Sequence, residues 1–403
     1  MYDTIVVGGG PSGMMAAYAA SQKGENVLLL EQNNQLGKKL LITGKGRCNI
    51  TNHADISEFI SQVPVNPQFL YSAFYSFTNQ QLLELLRQYG LQTKVERGGR
   101  IFPKSDRSLD VLNTLKRMLA KVEVKTGVRV RNVIVKEGKA AGVCLWNNTA
   151  VLSRKVILAT GGISYPNTGS RGDGYRMARQ VGHTVISPKP SLVPMETAEG
   201  WGKELQGLSL KNVEIRVTDK KGKEIYSDFG EMLFTHFGVS GPLILSASSH
   251  IRTLDGHRLL VDLKPALTQE QLDARLLRDF QTYSNRDFCN ALDDLFPKKL
   301  IPVMVKRSRI PGHTKVHQIT KEQRQNFGII CKNLTFTLTA MRPIEEAIIT
   351  SGGVAVQEIN PSTMESKRIS GLFFCGELID VDAYTGGFNL QIAFSTGYLA
   401  GRS

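Results

Sequence analysis

The sequence predicts an α/β fold in which one domain is interrupted by a second one. Short runs of branched apolar residues alternate with helical patterns up to about residue 190, which is typical of a parallel sheet flanked by helices. Beyond that point apolar and polar residues alternate as in antiparallel strands, and from about residue 341 the first pattern returns. We therefore predict one domain from residues 1–190 and 341–403, and an inserted domain at 191–340.

Three glycines separate the first predicted strand from the first predicted helix. Residues 4–7 are too few and too β-branched for a helix, so they predict a buried parallel strand, and residues 14–20 favour a helix. Gly8 would permit the tight turn, Gly10 would let a pyrophosphate approach the backbone, and Gly13 would let the helix pack closely on the strand. The pattern predicts a dinucleotide bound to a Rossmann-type domain.

Charged and amide side chains follow this turn in places where a nucleotide would need them. Glu31 ends the next predicted strand, where its carboxylate could accept a hydrogen bond from a ribose hydroxyl. Residues 44–52 (GKGRCNITN) alternate glycine with polar side chains. Arg47 and the preceding Lys39 can neutralise phosphate, and Asn49 can both donate and accept hydrogen bonds. This alternation favours ligand contact over a plain surface loop.

Two later strands also end in polar or glycine-rich turns. The apolar residues 156–158 lead into the double glycine at 161–162. The apolar residues 372–374 deliver Glu377 and Asp380 beyond the tip of their strand. Because open α/β sheets bind ligands at the carboxyl ends of their strands, we expect both turns to line the same site.

The last predicted helix indicates which dinucleotide is bound. It covers residues 389–400 and follows the double glycine at 386–387, so its first amides and its positive dipole end point back at the site. Reduced flavin carries negative charge near N1 and O2, whereas reduced nicotinamide is neutral. The pattern therefore favours a flavin.

The pattern of the inserted domain predicts antiparallel strands with a helical subdomain inserted between them. Residues 187–194 contain three prolines and form a candidate linker. Alternation at 213–217, followed by a Lys-Lys-Gly turn, predicts a hairpin, and residues 259–263 predict another strand. We expect a small β-barrel with a helical subdomain at about 266–326.

Three helices are predicted in that subdomain. Capping boxes at 268–271 and 320–323 mark the starts of the first and the third. The apolar residues of 288–296 have the spacing of a second helix between them. Their apolar stripes are expected to be core rather than cofactor contacts.

Two residues are candidates for catalysis. Tyr165 follows the glycine turn at 161–162, and His236 lies between glycines in the inserted domain, although a lone histidine is more often structural. Cys48 and Cys375 could be redox-active, but neither has a nearby cysteine in sequence, which favours a structural role. The five cysteines suggest neither a disulfide framework nor a metal site.

The formal net charge of +14 requires an explanation. Eight basic residues and one acid lie in residues 298–324, which could attract RNA, a membrane surface or an acidic substrate. This segment contains no aromatic residue, and single-stranded nucleic acid is usually bound by stacking as well as by charge. We therefore favour a solvated basic face and keep nucleic-acid binding as the alternative. Without a membrane span or signal peptide, a cytoplasmic protein is expected.

Five motifs in this order are together highly specific: TGKGRCNITN, ATGGISYPNTGS, LFTHFGVSGP, AIITSGGV and GELIDVDAYTGGFNLQIAFSTG. They resemble the BaiN-like, aminoacetone-oxidase-like family of FAD-binding flavoproteins, and the resemblance covers nearly the whole chain. It implies FAD on a Rossmann-type FAD-binding domain interrupted by an inserted domain with a β-barrel and a helical subdomain.

The resemblance also implies which residues bind FAD. Towards the AMP half it implies Gly8, Gly10, Gly13 and Glu31. Along the pyrophosphate, ribityl chain and flavin it implies Lys39, Arg47, Cys48, Asn49, Gly376, Glu377, Asp380, Asn389 and Gln391. The other residues predicted to bind the cofactor are Pro11, Ser12, Gln32, Gly46, Val130, Ala159, Thr160, Gly161, Gly387, Phe388 and Leu390.

These expectations define an FAD-dependent oxidoreductase that transfers hydride through flavin N5. Activities of the family range from amine oxidation to the reduction of conjugated double bonds, so either reaction on a small organic substrate is expected. A second GxGxxG is absent from the sequence, so NAD(P)H would have to visit the flavin transiently. The alternatives are an RNA-binding or RNA-modifying flavoprotein that uses the basic segment, and a flavin sensor without turnover.

Overall fold

A computed structural model of the protein describes residues 1–251 and 254–403. The strands are β1 Tyr2–Val7, β2 Val27–Glu31, β3 Thr51–Asn52, β4 Thr93–Glu96, β5 Arg100–Pro103, β6 Glu123–Thr126, β7 Val130–Lys136, β8 Lys139–Leu145, β9 Ala150–Leu158, β10 Val185–Ser191, β11 Met195–Thr197, β12 Ser209–Thr218, β13 Glu224–Phe234, β14 Gly238–Ser240, β15 Arg258–Asp262, β16 Leu334–Met341, β17 Ile349–Val354 and β18 Leu372–Phe374. The helices are α1 Pro11–Gln22, α2 Lys38–Ile42, α3 Ile56–Phe59, α4 Tyr71–Ser76, α5 Asn79–Gln88, α6 Ser108–Met118, α7 Asp173–Gln180, α8 Pro242–His250, α9 Gln269–Thr282, α10 Ile301–Ser308, α11 Lys321–Lys332 and α12 Phe388–Arg402.

The chain divides into two compact units. The first, which we call the sheet unit, consists of Met1–Ser191 and Pro343–Ser403. The second, the barrel unit, is Leu192–Arg342. Each unit encloses its own cluster of buried apolar side chains, so each has a hydrophobic core of its own.

The sheet unit is built on a mostly parallel sheet with the strand order β6-β2-β1-β9-β8-β7, in which β18 also pairs with β9. Strand β9 pairs in parallel with both β1 and β18. In this register Leu158 lies opposite Val7 on one side and Phe374 on the other. Strands β1, β9 and β18 therefore end at the same level, and the segments that follow them leave the same edge.

Helices α1 and α12 pack closely because two glycines of α12 face the backbone of α1. A Cβ atom at Gly397 would lie 2.3 Å from the carbonyl oxygen of Ser12, and one at Gly401 would lie 2.1 Å from that of Ala16. These distances are far below van der Waals contact, so only glycine fits. The contact joins the N-terminal and C-terminal segments of the sheet unit.

The barrel unit contains a closed barrel with the strand order β11-β14-β13-β12-β15-β16. Helices α9, α10 and α11 lie between β15 and β16 in the sequence. Thr268 and Thr320 form the expected capping boxes with Gln271 and Gln323 at the starts of α9 and α11. The parallel α/β sheet, the barrel and the helical region confirm the predicted fold class.

The prediction of a second helix at 288–296 in the barrel unit is wrong. Residues 288–296 begin with a single 3₁₀ turn, Phe288–Asn290, and continue as turns, and the next α-helix is α10. The apolar side chains of the segment are buried as expected. Turn-forming residues such as Asn290 and Asp293, followed by Pro297, let the chain bury those side chains without a continuous helix.

The predicted linker at 187–194 also begins differently. Residues 187–191 belong to β10, which pairs with β17 in a separate two-stranded sheet. The pairing is irregular between Ile186 and Lys189, so Pro188 lies at the irregularity, and Pro190 pairs opposite Thr350. Proline is tolerated at bulges and edge strands because its missing N–H breaks no ladder there.

Among the described residues, no helix is both long and apolar enough to cross a membrane.

Candidate functional site

The candidate site lies at the edge of the sheet where β1, β9 and β18 end. Gly8 follows β1 with a φ of +110°, and a Cβ there would lie 2.4 Å from the carbonyl oxygen of Ala159, which follows β9. Gly376 follows β18, and its Cβ would lie 2.5 Å from Ser12 Oγ on α1. The three turns are therefore packed together without room for side chains.

The three glycines of the first turn have different surroundings. A Cβ at Gly13 would lie 1.8 Å from the Gly8 carbonyl oxygen, so Gly13 is needed for the helix to approach the strand. A Cβ at Gly10 would meet no heavy atom within 4 Å. Gly10 is also the residue before α1, whose first turn has no side-chain cap and no acidic residue. Open space next to an uncapped helix start suits a phosphate group.

Glu31 ends β2 and is buried, with its carboxylate held by backbone amides. The amide of Gly9 donates to Glu31 Oε2 at 2.7 Å, and the amide of Asn33 donates to Oε1 at 2.8 Å. Next to it, Gln32 Nε2 donates to the carbonyl oxygen of Gly169 at 2.6 Å. The carboxylate is thus fixed beside the glycine turn, and the segment after β2 is tied to the segment after β9.

The glycine-rich loop at 44–49 has an unusual backbone. Lys45 and Cys48 have φ values of +58° and +63°, a region that residues other than glycine rarely adopt. Burial raises the pKa of the Cys48 thiol to about 12, and that of Cys375 to about 12 as well, so both thiols are neutral and unreactive near pH 7.

Arg47 in this loop is already paired with carboxylates. Its guanidinium donates to Glu96 and to Asp106, the latter at 2.6 Å, and stacks 4.1 Å from the centre of the Phe102 ring. Its contact with a phosphate therefore stays a prediction.

Lys39 and Glu377 meet in one polar cluster. Lys39 Nζ donates to Glu377 Oε2 and to Ser164 Oγ, both at 2.7 Å. The Thr350 amide donates to Glu377 Oε1 at 2.8 Å, and Ser164 Oγ donates to the same oxygen at 3.1 Å. Burial alone would raise the pKa of Glu377, but the Lys39 ammonium and these hydrogen bonds outweigh it, so the pKa is lowered. The cluster links the segments after β9 and β18.

The start of α12 is organised by side chains that bond within the protein. Asn389 Nδ2 donates to the Ala383 carbonyl oxygen at 2.6 Å, and its Oδ1 accepts from the Ala383 amide at 2.9 Å. Gln391 is fully buried and accepts from Thr51 Oγ1 at 2.7 Å. Gly387 precedes the helix with a φ of +101°, and no side chain caps it. Asn389 and Gln391 position the helix start, whose first backbone amides have no side-chain cap.

Two predicted cofactor residues carry buried polar atoms that lack a partner. Asn49 Oδ1 and Thr160 Oγ1 are inaccessible to solvent, and neither forms a hydrogen bond with any described residue. Because an unpaired buried polar atom costs free energy, such atoms indicate that a polar ligand completes the site. Together with the open space at Gly10, they show that the residues present fit a dinucleotide.

The structure distributes the remaining predicted site residues as follows. Every predicted cofactor-binding residue lies in the sheet unit, including Pro11, Ser12, Gly46, Val130, Gly161, Phe388 and Leu390. Tyr165 lies there too, half-buried, with a φ of +52°. His236 belongs to the barrel unit, where it is exposed on the turn between β13 and β14, 4.9 Å from the Phe237 ring.

Several polar residues at this edge were not predicted. Thr350 Oγ1 accepts from the Ile163 amide at 2.9 Å, and Asn66 Nδ2 donates to the carbonyl oxygen of Asp380 at 2.7 Å. Asp382 is only 2% exposed and accepts from Ser191 Oγ at 3.0 Å. One signal could have indicated Thr350: the segment TSGG at 350–353 repeats the polar-Gly-Gly pattern of ATGG at 159–162.

The parallel sheet, the glycine turn and the unpaired polar atoms define a Rossmann-type dinucleotide-binding protein. The chain belongs to the family described as HI0933-like protein Rossmann domain, whose model matches residues 2–403. This membership confirms the family that the sequence motifs indicated, and the protein is an FAD-dependent oxidoreductase.

Three relatives and neighbours illustrate the similarity. The chain is 34% identical to 3-dehydro-bile acid delta(4,6)-reductase of Clostridium scindens, over 99% of this chain and 98% of the relative. It is 29% identical to ribosomal RNA dihydrouridine synthase of Haemophilus influenzae, over 98% and 96%. Its fold is similar to that of 3-ketosteroid delta1-dehydrogenase from Sterolibacterium denitrificans, with a TM-score of 0.53 and 14% identity over 99% of this chain and 98% of that one.

Proposed function

We propose that the protein uses FAD to reduce a carbon–carbon double bond conjugated with a carbonyl group. One observation carries the proposal: two relatives that match nearly the whole chain have different substrates in their names but the same kind of reaction. One is named for the delta(4,6) bonds of a 3-dehydro bile acid, and the other for dihydrouridine. Both names describe hydrogen added across a double bond conjugated with a carbonyl.

Different residues of the sheet unit would bind different parts of FAD. Bound and reduced FAD supplies a hydride for the carbon β to the carbonyl. The open backbone at Gly10 and the start of α1 would hold the pyrophosphate, and Glu31 would face the ribose. The uncapped start of α12 would stabilise negative charge on the ring system. Lys39, paired with Glu377, would orient the turns after β9 and β18 around it.

The reaction also needs a proton for the carbon α to the carbonyl, and we propose Tyr165 as its donor. Burial raises the pKa of the Tyr165 hydroxyl, so it stays protonated at neutral pH. Its left-handed backbone is adopted by a bulky residue only where the surroundings hold it there, which is common at functional sites. His236 is the other candidate. The variants Tyr165→Phe and His236→Gln test the two candidates, with the rate at which substrate reoxidises the flavin measured by rapid mixing. If a variant keeps the rate of the unchanged protein, that residue is not the proton donor.

The function is tested by following the flavin colour anaerobically. We expect NADH or NADPH, visiting the site transiently, to bleach the yellow protein, and a 3-oxo-Δ4 steroid to restore the colour. Bleaching by an amine, with recovery only on admitting air, would indicate an oxidase instead. Protein that neither contains flavin nor takes it up would contradict the proposal at its first step.

A second candidate substrate is a uracil base within RNA. It is favoured by the net charge of +14 and by the names of two relatives, from Haemophilus influenzae and Escherichia coli, each 29% identical over 98% of this chain. The chemistry is the same, because the C5–C6 bond of uracil is conjugated with the C4 carbonyl. Faster recovery of the flavin colour with unmodified ribosomal RNA than with the steroid would favour this candidate.

A further inference from the structure

The basic segment at 298–324 separates into neutralised and unpaired charges. Lys315 pairs with Asp287 at 2.9 Å, and Arg324 pairs with Asp273 at 2.8 Å. Lys298, Lys306, Arg307 and Arg309 are exposed, and none of them forms an ion pair with a described carboxylate. The unpaired cations lie around α10.

An aromatic side chain from elsewhere in the sequence joins these cations. The Arg307 guanidinium lies 4.8 Å from the centre of the Trp201 ring, and Trp201 in turn packs 4.7 Å from the ring of Phe336. Trp201 belongs to a 3₁₀ turn, Gly200–Leu205, that precedes β12. The segment 298–324 contains no aromatic residue, but the fold supplies one from outside it.

A second contact joins the same turn to the start of α10. Lys299 Nζ donates to the carbonyl oxygen of Gln206 at 2.5 Å, immediately after the turn that holds Trp201. The exposed Lys203 lies on that turn, with the exposed acid Glu204 beside it. We define the Trp201 surface as Trp201, Lys203, Lys298, Lys306, Arg307 and Arg309.

The helix itself explains only part of this charge. Cations near a helix C-terminus stabilise it, which accounts for Lys306, Arg307 and the capping residue Arg309. Lys298 precedes the N-terminus of α10, where a cation is unfavourable. None of these cations pairs with a described carboxylate, so the surface suits a partner that carries distributed negative charge.

We propose that the Trp201 surface binds RNA. Phosphates would contact the exposed lysines and Arg309, and an unstacked base would stack on the Arg307 guanidinium, which Trp201 supports from beneath. This inference concerns binding alone and does not depend on the proposed reduction.

The test is binding of a fluorescein-labelled single-stranded RNA of about 20 nucleotides to the flavin-loaded protein, with salt varied from about 50 to 200 mM. The variant K306Q/R307Q/R309Q removes three unpaired cations. The matched control K220Q/K221Q/K223Q removes three charges from the β12–β13 turn of the same unit. The thermal melting curve verifies that the barrel unit of each variant is folded, and bound flavin verifies the sheet unit.

For the surface variant we expect binding at least about tenfold weaker, and a slope of log affinity against log salt shallower by about 1.4, because the phosphate contacts of Lys306 and Arg309 are lost and each removes about 0.7. The control should bind like the unchanged protein. R307K should weaken binding with the slope unchanged, because it keeps the charge and loses the stacking plane. Equal losses in both triple variants, no RNA binding at about 50 mM salt, or tighter binding to phosphatidylserine vesicles than to RNA would each overturn the proposal.

Discussion

At the residue scale, Gly10 and Gly13 show that one motif can combine a ligand contact with a packing contact. Gly13 has the Gly8 carbonyl oxygen against it, whereas Gly10 has open space. The backbone of Gly10, with φ −80° and ψ −176°, is one that alanine can adopt. An added methyl group should therefore impair ligand binding at Gly10 and protein stability at Gly13.

Gly10→Ala should keep the stability of the flavin-free protein within about 1 kcal/mol while weakening FAD binding by about tenfold or more. Gly13→Ala should destabilise the protein itself by about 1–3 kcal/mol through overpacking. Urea unfolding of both flavin-free variants, with titration of FAD into each, separates the two effects. A Gly10→Ala protein that binds FAD normally would contradict the role given to that open space.

Asp382 is a third residue whose surroundings lead to a measurable prediction. Burial, with the charge of Asp380 added to it, raises the pKa of Asp382 to about 6 although Ser191 and Ser351 donate to it. The folded protein therefore holds a proton that the unfolded chain releases at lower pH. Stability should fall as pH rises from about 4 to about 6 and then stay level with respect to this group.

Asp382→Asn should therefore be more stable than the unchanged protein at pH 8, by about 1–3 kcal/mol, because it removes a buried charge. The difference should vanish near pH 4, where both side chains are neutral. Urea unfolding at several pH values measures it. A difference that is the same at every pH would mean that charge at Asp382 is not the cause.

At the element scale, the contact between α1 and α12 couples the glycine turn to the last helix. Gly397 is the position at which this contact is closest to Ser12, the second residue of α1. A side chain at Gly397 would push the start of α1 away from its place beside Gly376.

Gly397→Ala should destabilise the sheet unit by about 1–3 kcal/mol and reduce its flavin content. Gly200→Ala is a suitable control, since a Cβ at Gly200 meets no atom within 4 Å. Thermal unfolding and the absorbance of bound flavin after gel filtration provide the readouts. Equal losses in both variants would argue against helix spacing as the cause.

The sequence predicts well those elements whose conformation is determined by residues that are neighbours in the sequence. The run before Gly8, the capping boxes at Thr268 and Thr320, and the double glycine before α12 each specify a local conformation. The segment 288–296 was mispredicted because apolar spacing reports burial, and turns can bury the same side chains. Thr350 and Asn66 were missed because their partners are far away in sequence.

At the scale of the whole molecule, the predicted FAD residues all belong to one of two units that have separate cores. A ligand stabilises the folded unit that binds it. The two units should therefore respond differently to FAD.

Calorimetry should resolve two unfolding transitions, of which FAD shifts only one, by about 2.7 kcal/mol at a hundredfold excess over its Kd. Fluorescence of Trp201, with Trp146 replaced by Phe, reports the barrel unit and identifies the transition that stays in place. If both transitions moved together, the units would unfold as one.

The pairing of β18 with β9 has a consequence for how the protein is made. Gly376 and the start of α12 are translated long after the glycine turn, because the whole barrel unit lies between them in the sequence. During synthesis the glycine turn therefore exists for some time without the later residues that pack beside it. FAD would find its complete site only after the barrel unit and the last strand have both been made.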